Sequence, residues 1–472
     1  MKRLSVLAMA MIVMASCAKE NVQTNNEPTG EKALLEIGLA STKTQLGTED
    51  KVNNLFPIVW SDGDEIAVIE NMGIEGKQNV SVYRLKEGAG TANGVFEHVS
   101  GDAFPKVITD VVYPASAVMP KGTLISEIPI VDVSSLVPKD QTQSYEEGNF
   151  DKNAAVMYFH RNNPADKIVL EPLSSIICIP IKGFDDNDVV TAVKWQNMDG
   201  RTATVTLNCP NGVTLSKGQA TNFYLSIQPM LKDCNGIAYV YLKNGAIQVK
   251  TPRNLKAFKA GTLHRFPEWT LSKKAKWTIL GYGSQRDATT WEQVPLGPAQ
   301  YMIDGNDVSW WEFRRQLNAK KTGPEMAGPH TIVIDLGSVQ TITGIKIKSK
   351  EIPTSPEYGI TYVNKDGETK DIYGSQSYNP PHTFHIAFSN QQPTKDEINQ
   401  FVSKKIWPSN KQTFTGTTMD SNYGKDKKAW WDNTLDSAVS TRYIFIHFEK
   451  AWNNAGNGTA ANMMKVAELD IY

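Results

Sequence analysis

The sequence predicts an all-β fold class, and three observations carry that prediction. Short apolar stretches alternate with polar positions, as at Leu35, Ile37 and Leu39, which is the period of a half-buried strand. Glycine, proline and asparagine separate these stretches at intervals of roughly 8 to 14 residues, a spacing typical of β-sandwiches. Helical periodicity is confined to one short segment. A chain of 472 residues with this pattern is long enough for about two to four domains.

Charge and motifs exclude several classes of function. The chain has 49 basic and 50 acidic residues and a formal net charge of -1. No polybasic tail or stripe interrupts this balance, so a nucleic acid partner is not expected. The sequence also lacks a His-Glu-x-x-His, a Gly-x-Ser-x-Gly and a phosphate-loop motif, so the protein is not expected to be an enzyme.

The N-terminal residues 1–16 are typical of a lipoprotein signal peptide. Lys2 and Arg3 form a basic start, and the apolar stretch 4–13 that follows is too short to span a bilayer. Small residues then precede Cys17, a pattern that resembles a bacterial lipobox and implies cleavage before Cys17 and acylation of its thiol. The alternative is an ordinary secretory peptide that contains a cysteine.

Residues 17–31 are polar and show no periodicity, which predicts a flexible tether. Glu20, close to Cys17, resembles part of the export signal of Bacteroidetes surface lipoproteins. No later apolar run is long enough to span a membrane. We therefore expect a protein held in the cell outer membrane by its lipid anchor and exposed on the cell surface.

Two β domains are expected at 32–155 and 156–270. Strand-like stretches separated by turn residues fill both, and Asp62-Gly63 predicts a tight hairpin turn. In order after the lipobox, four short motifs resemble the fimbrillin family of Bacteroidetes lipoproteins: Thr42-Lys43-Thr44, Trp60-Ser61-Asp62-Gly63-Asp64-Glu65-Ile66, Tyr158-Phe159-His160 and Phe258-Lys259-Ala260-Gly261-Thr262. The resemblance implies two transthyretin-like β-sandwich domains and a role in pilus subunits, pilus tips or surface adhesion, with fimbrial subunits as partners.

Three cysteines follow Cys17. Cys178 lies in an apolar run and is expected in the core. A disulfide between Cys209 and Cys234 is possible, and the sequence does not settle whether it forms.

The last domain is expected at 277–472, after a linker at 271–276 that carries three lysines and no apolar run. One local departure from the β pattern is predicted at 395–404. Thr394 and Glu397 have the spacing of a capping box, and Ile398, Phe401 and Val402 then recur at helical spacing. Eight of the 11 tryptophans fall in this domain, which favours it as the ligand-facing part because exposed aromatics supply stacking area.

Several motifs of the last domain resemble the discoidin domain, also called the coagulation factor 5/8 type C domain, and related galactose-binding-like bacterial carbohydrate-binding modules. They are Ile303-Asp304-Gly305-Asn306 with Trp310-Trp311, Ile332-Val333-Ile334-Asp335-Leu336-Gly337, Ile342-Thr343-Gly344-Ile345-Lys346-Ile347, Tyr358-Gly359-Ile360 with Asp366-Gly367, Thr441-Arg442-Tyr443-Ile444 and Ala467-Glu468-Leu469-Asp470-Ile471. The resemblance implies a jelly-roll β-sandwich that binds carbohydrate. The insertion at 375–440 is longer than the family usually has.

The turn after Ile303 is a candidate calcium site. Asp304, Asn306, Asp307 and Ser309 supply oxygens, and Gly305 permits the sharp turn that such a site needs. In the family a glutamate from the last strand reaches the same ion, and Glu468 matches it. The expected ion is a structural Ca²⁺. The alternative is a polar turn in which Asp304 caps backbone N–H groups without a metal.

Candidate ligand contacts are aromatic residues that stand beside polar groups in loops, because a sugar needs a stacking face and partners for its hydroxyls. One of each aromatic pair such as Trp310-Trp311 is expected in the core, and Arg442 is expected to form a structural ion pair. The candidates are Trp291, Glu292, Tyr378, His382, Trp452 and Asn454.

These observations predict a surface lipoprotein that binds a glycan or glycoprotein without catalysis, for adhesion or glycan capture. The alternative is a fimbrial accessory or tip subunit whose discoidin-like domain binds protein. That alternative predicts a detachable edge strand near 33–40.

Overall fold

In the computed structural model, nearly all of the regular secondary structure of the described residues is β-strand, so the all-β fold class is confirmed. The structure describes residues 34–39, 59–71, 79–103, 108–118, 136–143, 151–163, 166–197, 204–229, 233, 235–252, 255–283, 298–306, 309, 311–312, 315–317, 324–326, 330–349, 361–363, 369–371, 381–409, 412–415, 430–452, 458–460 and 465–472. Cys17 and the whole of 1–33 lie outside the described residues.

Seven strands of the first unit form a closed barrel. Its strands are β1 (Leu34–Leu39), β2 (Glu65–Glu70), β3 (Asn79–Glu87), β4 (Asn93–Ser100), β5 (Ile108–Tyr113), and, after the short β6 (Asp140–Thr142) of the next unit, β7 (Met157–His160) and β8 (Val169–Pro172). The hydrogen-bonded order is β1-β4-β3-β2-β5-β7-β8, and β1 closes the barrel by pairing in parallel with β8.

Strand β1 is not an edge strand. It pairs with β4 on one side and with β8 on the other, and Ile37 is 2% exposed. The prediction of a detachable edge strand near 33–40 is therefore wrong for the part that the structure describes, because both hydrogen-bonding sides of β1 are used. The predicted Asp62-Gly63 turn is present, with Gly63 at φ 79, although Val59–Ser61 before it is not a strand.

The second unit is a sandwich of two sheets, in the orders β14-β13-β10-β11-β6 and β12-β9-β15, with β16 also paired to β9. Strand β6 precedes position 155 while β7 and β8 follow it, so hydrogen bonding interleaves the predicted domains 32–155 and 156–270. Cys178 and Cys209 are both buried, which confirms Cys178 in the core; Cys234 lies outside the described residues. The strands are β9 (Ser175–Lys182), β10 (Val189–Asn197), β11 (Val205–Thr214), β12 (Thr221–Ile227), β13 (Gly236–Leu242), β14 (Ile247–Lys250), β15 (Leu263–Arg265) and β16 (Trp269–Thr270).

The predicted linker at 271–276 is folded and largely buried. Its residues Lys273–Lys276 form a short 3-10 helix, and the Ser272 side chain caps the helix by accepting from the backbone N–H of Lys274. Leu271 belongs to the apolar core of the second unit, and Trp277 belongs to that of the third. The segment is therefore a buried bridge between two cores, in contrast to a solvated linker.

The third unit is built on two very long strands, β21 (Thr331–Ser349) and β26 (Trp430–Trp452), which pair antiparallel along most of their length. The pairing of the two strands is interrupted by two register shifts, and Gly337, with φ 80, lies within the first of them. A Cβ there would lie 2.6 Å from the Lys276 carbonyl oxygen, so only glycine allows this approach. The strands are β17 (Thr278–Tyr282), β18 (Trp311–Glu312), β19 (Arg315–Leu317), β20 (Pro324–Met326), β21 (Thr331–Ser349), β22 (Thr361–Val363), β23 (Thr369–Asp371), β24 (Pro381–Ser389), β25 (Gln412–Thr415), β26 (Trp430–Trp452), β27 (Gly458–Ala460) and β28 (Lys465–Ile471).

One α-helix, α1 (Lys395–Lys404), covers the outer face of this unit. Thr394 and Glu397 form the predicted capping box, so the helix is confirmed at the predicted position. Phe401 packs on Phe445 with ring centroids 5.3 Å apart. Trp311, 0% exposed, lies in the core beneath, which confirms a core role for one residue of its pair.

Candidate ligand-binding site

Four strands of the third unit finish at one end of the sheet, which we call the distal end. Its boundary residues are the last of β17, the first of β21 and β24, and the last of β26. The register brings them together, because Tyr282 pairs with Ile332, Thr331 with His447, and Pro381 with Ala451.

The opposite end of the third unit, which we call the interface end, contacts the second unit. Strand β21 runs from Thr331 at the distal end to Asp335 and Gly337, where the chain packs against Lys276. A strand of this length separates the two ends by about 20 Å. The distal end therefore points away from the second unit.

Backbone pairing places two of the predicted ligand residues at the distal end. His382 follows Pro381 in β24 and Trp452 follows Ala451 as the last residue of β26, so the pairing of Pro381 with Ala451 brings the backbone of both residues to the distal end. They are 70 positions apart in the sequence, 452 minus 382. The sheet thus gathers at one place two candidates that the sequence could only list separately.

The other predicted ligand residues lie outside the described residues, namely Trp291, Glu292, Tyr378 and Asn454. The chain nevertheless leads to them from the distal end. The segment with Trp291 begins after Gly283, whose N–H donates to the Thr331 carbonyl oxygen at 2.8 Å. Tyr378 precedes Pro381 closely, and Asn454 follows Trp452 closely.

A pair of imidazoles on the outer face, beside the distal end, was missed from the sequence. The rings of His385 and His447 stack with centroids 5.8 Å apart and planes at 15°. His385 Nε2 lies 2.8 Å from Glu449 Oε2. The alternation Tyr443, Phe445, His447, Glu449 along β26 signals that these side chains share a face; the pairing with β24 is a long-range contact without a local signal.

Burial keeps His447 uncharged. It is 8% exposed, and burial lowers its pKa to about 4, with further lowering from the charges of Lys405, His385 and His330 and an opposing effect of Glu449. Above that pH the His447 ring is neutral, and the stacked pair lies beside the Glu449 carboxylate. Such a surface can contact both the apolar face and the hydroxyls of a polar ligand.

The predicted metal turn lies at the interface end. Both carboxylate oxygens of Asp304 accept hydrogen bonds from the turn itself, Oδ1 from the Asn306 N–H at 2.8 Å and Oδ2 from the Ser309 hydroxyl at 2.5 Å. The Asn306 side-chain amide donates to Thr251 Oγ1 of the second unit at 2.9 Å. Asp307 lies outside the described residues. In this geometry Asp304 caps the turn, which is the alternative to a calcium site that the sequence offered.

Glu468, the carboxylate matched to the family's metal ligand, accepts a hydrogen bond from the Lys274 ammonium. The side chains of Lys274 and Glu468 are 7% and 4% exposed. Burial, and then the Glu468 charge, raise the pKa of Asp304 well above its usual range, while the bonds from Ser309 and Asn306 and the charge of Lys274 oppose the rise. A cation is thus already present among these carboxylates, and the described residues do not fit a calcium ion, which takes about six to eight oxygens. The calcium site stays a prediction.

A cleft of about 660 Å³ lies at the interface end, between the second and third units. Arg442 lines it and forms the predicted structural ion pair, with Nε 2.9 Å from Asp335 Oδ1 and Nη2 3.0 Å from Oδ2. Across the cleft the Lys276 ammonium lies 2.5 Å from Asp188. The Lys276–Asp188 pair joins the bridge segment to the second unit, whereas the Arg442–Asp335 pair joins two strands of the third unit.

In the described part of the chain, no helix is long and apolar enough to cross a membrane. No group of three or more His, Cys, Asp or Glu side chains among these residues is arranged to hold a metal ion.

No protein-family model matches the chain, and no curated protein matches it. Solved structures do match. They include a family 32 carbohydrate-binding module from Clostridium perfringens NanJ in complex with galactose, at 14% identity, 42% of this chain, 95% of that chain and a TM-score of 0.25. Another is the third such module of a family 31 glycoside hydrolase from Clostridium perfringens, at 12%, 43%, 93% and 0.27. The C-terminal domain of a chitobiase from Bacteroides fragilis matches at 18%, 43%, 95% and 0.24. At these values the likeness carries no argument about ligand or chemistry, which must come from the residues of this chain.

Proposed function

We propose that the third unit binds carbohydrate without catalysis, through the distal end. The observation that carries this proposal is the pairing of Pro381 with Ala451, which brings the backbone of His382 and of Trp452 to the end of the sheet that points away from the second unit. A tryptophan followed in the sequence by two asparagines has the residue types that a sugar needs, a stacking face and hydrogen-bond partners for hydroxyls. In the sequence, the segments that contain Trp291, Tyr378 and Asn454 follow Gly283, precede Pro381 and follow Trp452.

The imidazole pair extends this surface with described side chains. His385 is partly exposed and Glu449 is exposed, so both can reach a ligand held at the distal end. At the interface end, by contrast, Arg442 is paired with Asp335 and Lys276 is paired with Asp188. We therefore assign ligand binding to the distal end of the third unit and contact with the second unit to the interface end.

A glycan array probed with the full chain tests the proposal. We expect binding to at least one class of glycan, and Trp452→Ala should weaken that binding by roughly tenfold or more, since an indole stacked on a sugar contributes several-fold more than a methyl group. Tyr472→Ala is the matched control, because Tyr472 is an exposed aromatic that pairs with Gly344 on the far side of the register shifts. Absence of binding to every glycan class would end the proposal.

We propose further that the chain is anchored to the outer membrane through an acylated Cys17 and serves adhesion or glycan capture. The support is the basic and apolar start before Cys17, together with the polar tether at 17–31. Labelling of cells with an alkyne fatty acid should mark the wild-type protein and leave Cys17→Ser unmarked. Co-purification of the protein with a fibre would favour the alternative of a fimbrial accessory or tip subunit.

A further inference from the structure

We propose that the cation which braces the third unit is the ammonium of Lys274, supplied by the chain itself in place of the predicted calcium ion. Because Lys274 belongs to the bridge between the second and third units, its ion pair with Glu468 also joins these two units.

The backbone brings Lys274 to this position by local and long-range contacts. The 3-10 helix Lys273–Lys276 is capped by Ser272, and Gln248 Oε1 of the second unit accepts from both the N–H and the hydroxyl of Ser272, at 3.2 and 2.8 Å. Asn244 Nδ2 donates to the Ala275 carbonyl oxygen at 2.8 Å. The second unit therefore fixes the helix from which the Lys274 side chain extends into the third unit.

The Lys274 side chain is buried, and a lysine is almost never buried without a partner. Its ammonium donates to Glu468 Oε1 of β28 and lies 5.6 Å from the centroid of the Trp277 ring. Both contacts stabilise a positive charge, the first by ion pairing and the second by a cation–π interaction. Removing either charge of such a buried pair strands the other in a region of low dielectric.

The two carboxylate oxygens of Asp304, which a metal would require, are committed to the turn. They accept hydrogen bonds from the Asn306 N–H and from the Ser309 hydroxyl. A calcium ion at Glu468 would also have to overcome repulsion from the Lys274 charge. The donor set and the charge balance both favour the ammonium over the metal.

Two neighbours of Lys274 extend the brace across the boundary. Lys273 Nζ lies 2.9 Å from Asp470 and donates to the Ile471 carbonyl oxygen at 2.7 Å, so two adjacent lysines hold the last strand. From the third unit, the Asp304 carbonyl oxygen accepts from the Val249 N–H at 3.1 Å. The turn expected to hold an ion thus serves as a contact between units.

The first test is thermal unfolding of the full chain in excess calcium and in a calcium chelator, with metal content measured on the same sample. We expect the two melting temperatures to agree within about 1 °C and the bound calcium to stay below about 0.1 per chain, since a ligand that binds only the native state must raise its stability. A melting temperature that falls in chelator, or one tightly bound calcium per chain, would overturn the proposal. This outcome leaves the glycan-binding proposal standing, because that proposal concerns the distal end.

The second test uses variants of the pair. Lys274→Met should lower the melting temperature by roughly 10 °C, because it strands the buried Glu468 carboxylate. Glu468→Gln added to Lys274→Met should restore part of the loss, since the pair is then neutral. Lys273→Met is the matched control, because its side chain is 41% exposed, and it should cost far less. Additive effects of the two substitutions would contradict the proposal, and if Lys274→Met does not fold, the chelator measurement on the wild-type chain still decides.

Discussion

The interface end and the distal end of the third unit use similar residue types for different purposes. At the interface end, Asp304, Glu468 and Lys274 are buried and bonded to one another or to the turn. At the distal end, polar groups such as His385 and Glu449 are partly or fully exposed. Acidic, basic and aromatic residues therefore identify a ligand site only when they remain available to solvent.

This comparison also explains why the most recognisable motif of the domain is not its candidate binding site. The turn Ile303-Asp304-Gly305-Asn306 packs against the second unit through Val249 and Thr251. A turn that is buried between two units is constrained by both of them, whereas the described residues at the distal end belong to one unit. Changes of ligand specificity at the proposed distal site are therefore compatible with retention of the fold.

The largest expected effect separates a buried tryptophan from one at the distal end. Trp311→Ala should lower the free energy of unfolding by about 3–5 kcal/mol, because Trp311 is 0% exposed and packs edge-on against Phe448. Trp452→Ala should change stability by less than about 1 kcal/mol while it weakens glycan binding. Denaturant unfolding and the glycan array, applied to both variants, give the comparison. A stability loss for Trp452→Ala as large as that for Trp311→Ala would place Trp452 in the core and remove it from the ligand site.

The next effect concerns acid stability at the distal end. The pKa of His447 falls from 6.5 to about 4 on folding, so between these values the unfolded chain binds a proton that the folded chain does not. Stability from this group is therefore complete above pH 6.5 and is lost as the pH falls toward 4, by about 3 kcal/mol in total. His447→Gln should flatten the dependence in this window, as measured by denaturant unfolding at a series of pH values. An unchanged slope for His447→Gln would mean that another group titrates.

Local sequence signals predicted local structure well. The helix α1 follows from Thr394 and Glu397, whose capping interaction spans only three positions, and from apolar residues at helical spacing. The strand pattern likewise follows from alternation, which each strand carries within itself. The expected ion pair of Arg442 is confirmed by its two hydrogen bonds to Asp335. It could be expected because a charged residue next to a strand of the core needs a partner close by.

Contacts between distant parts of the chain could not be predicted in the same way. The stretch 271–276 has the composition of a solvated linker, and its burial depends on Glu468, which lies 194 positions from Lys274. The stacking of His385 on His447 depends on the register of β24 against β26. The position of β1 inside the barrel depends on its pairing with β8, and one strand's sequence does not reveal whether both of its sides are paired. Each of these features is fixed by a partner that the local pattern does not name.

The smallest expected effect concerns the cleft at the interface end. Arg442 holds Asp335 with two hydrogen bonds, and a lysine can make only one such contact, so Arg442→Lys should lower the free energy of unfolding by about 0.5–1 kcal/mol. Glycan binding should not change, because Arg442 and Asp335 are paired with each other at the interface end and the proposed ligand site lies at the other end of the domain. Lys346→Met, which removes an exposed pair with Asp432 at 3.1 Å, is the control for loss of a surface charge. If Arg442→Lys weakens glycan binding while Lys346→Met does not, the cleft takes part in recognition, and the division between the two ends of the domain fails.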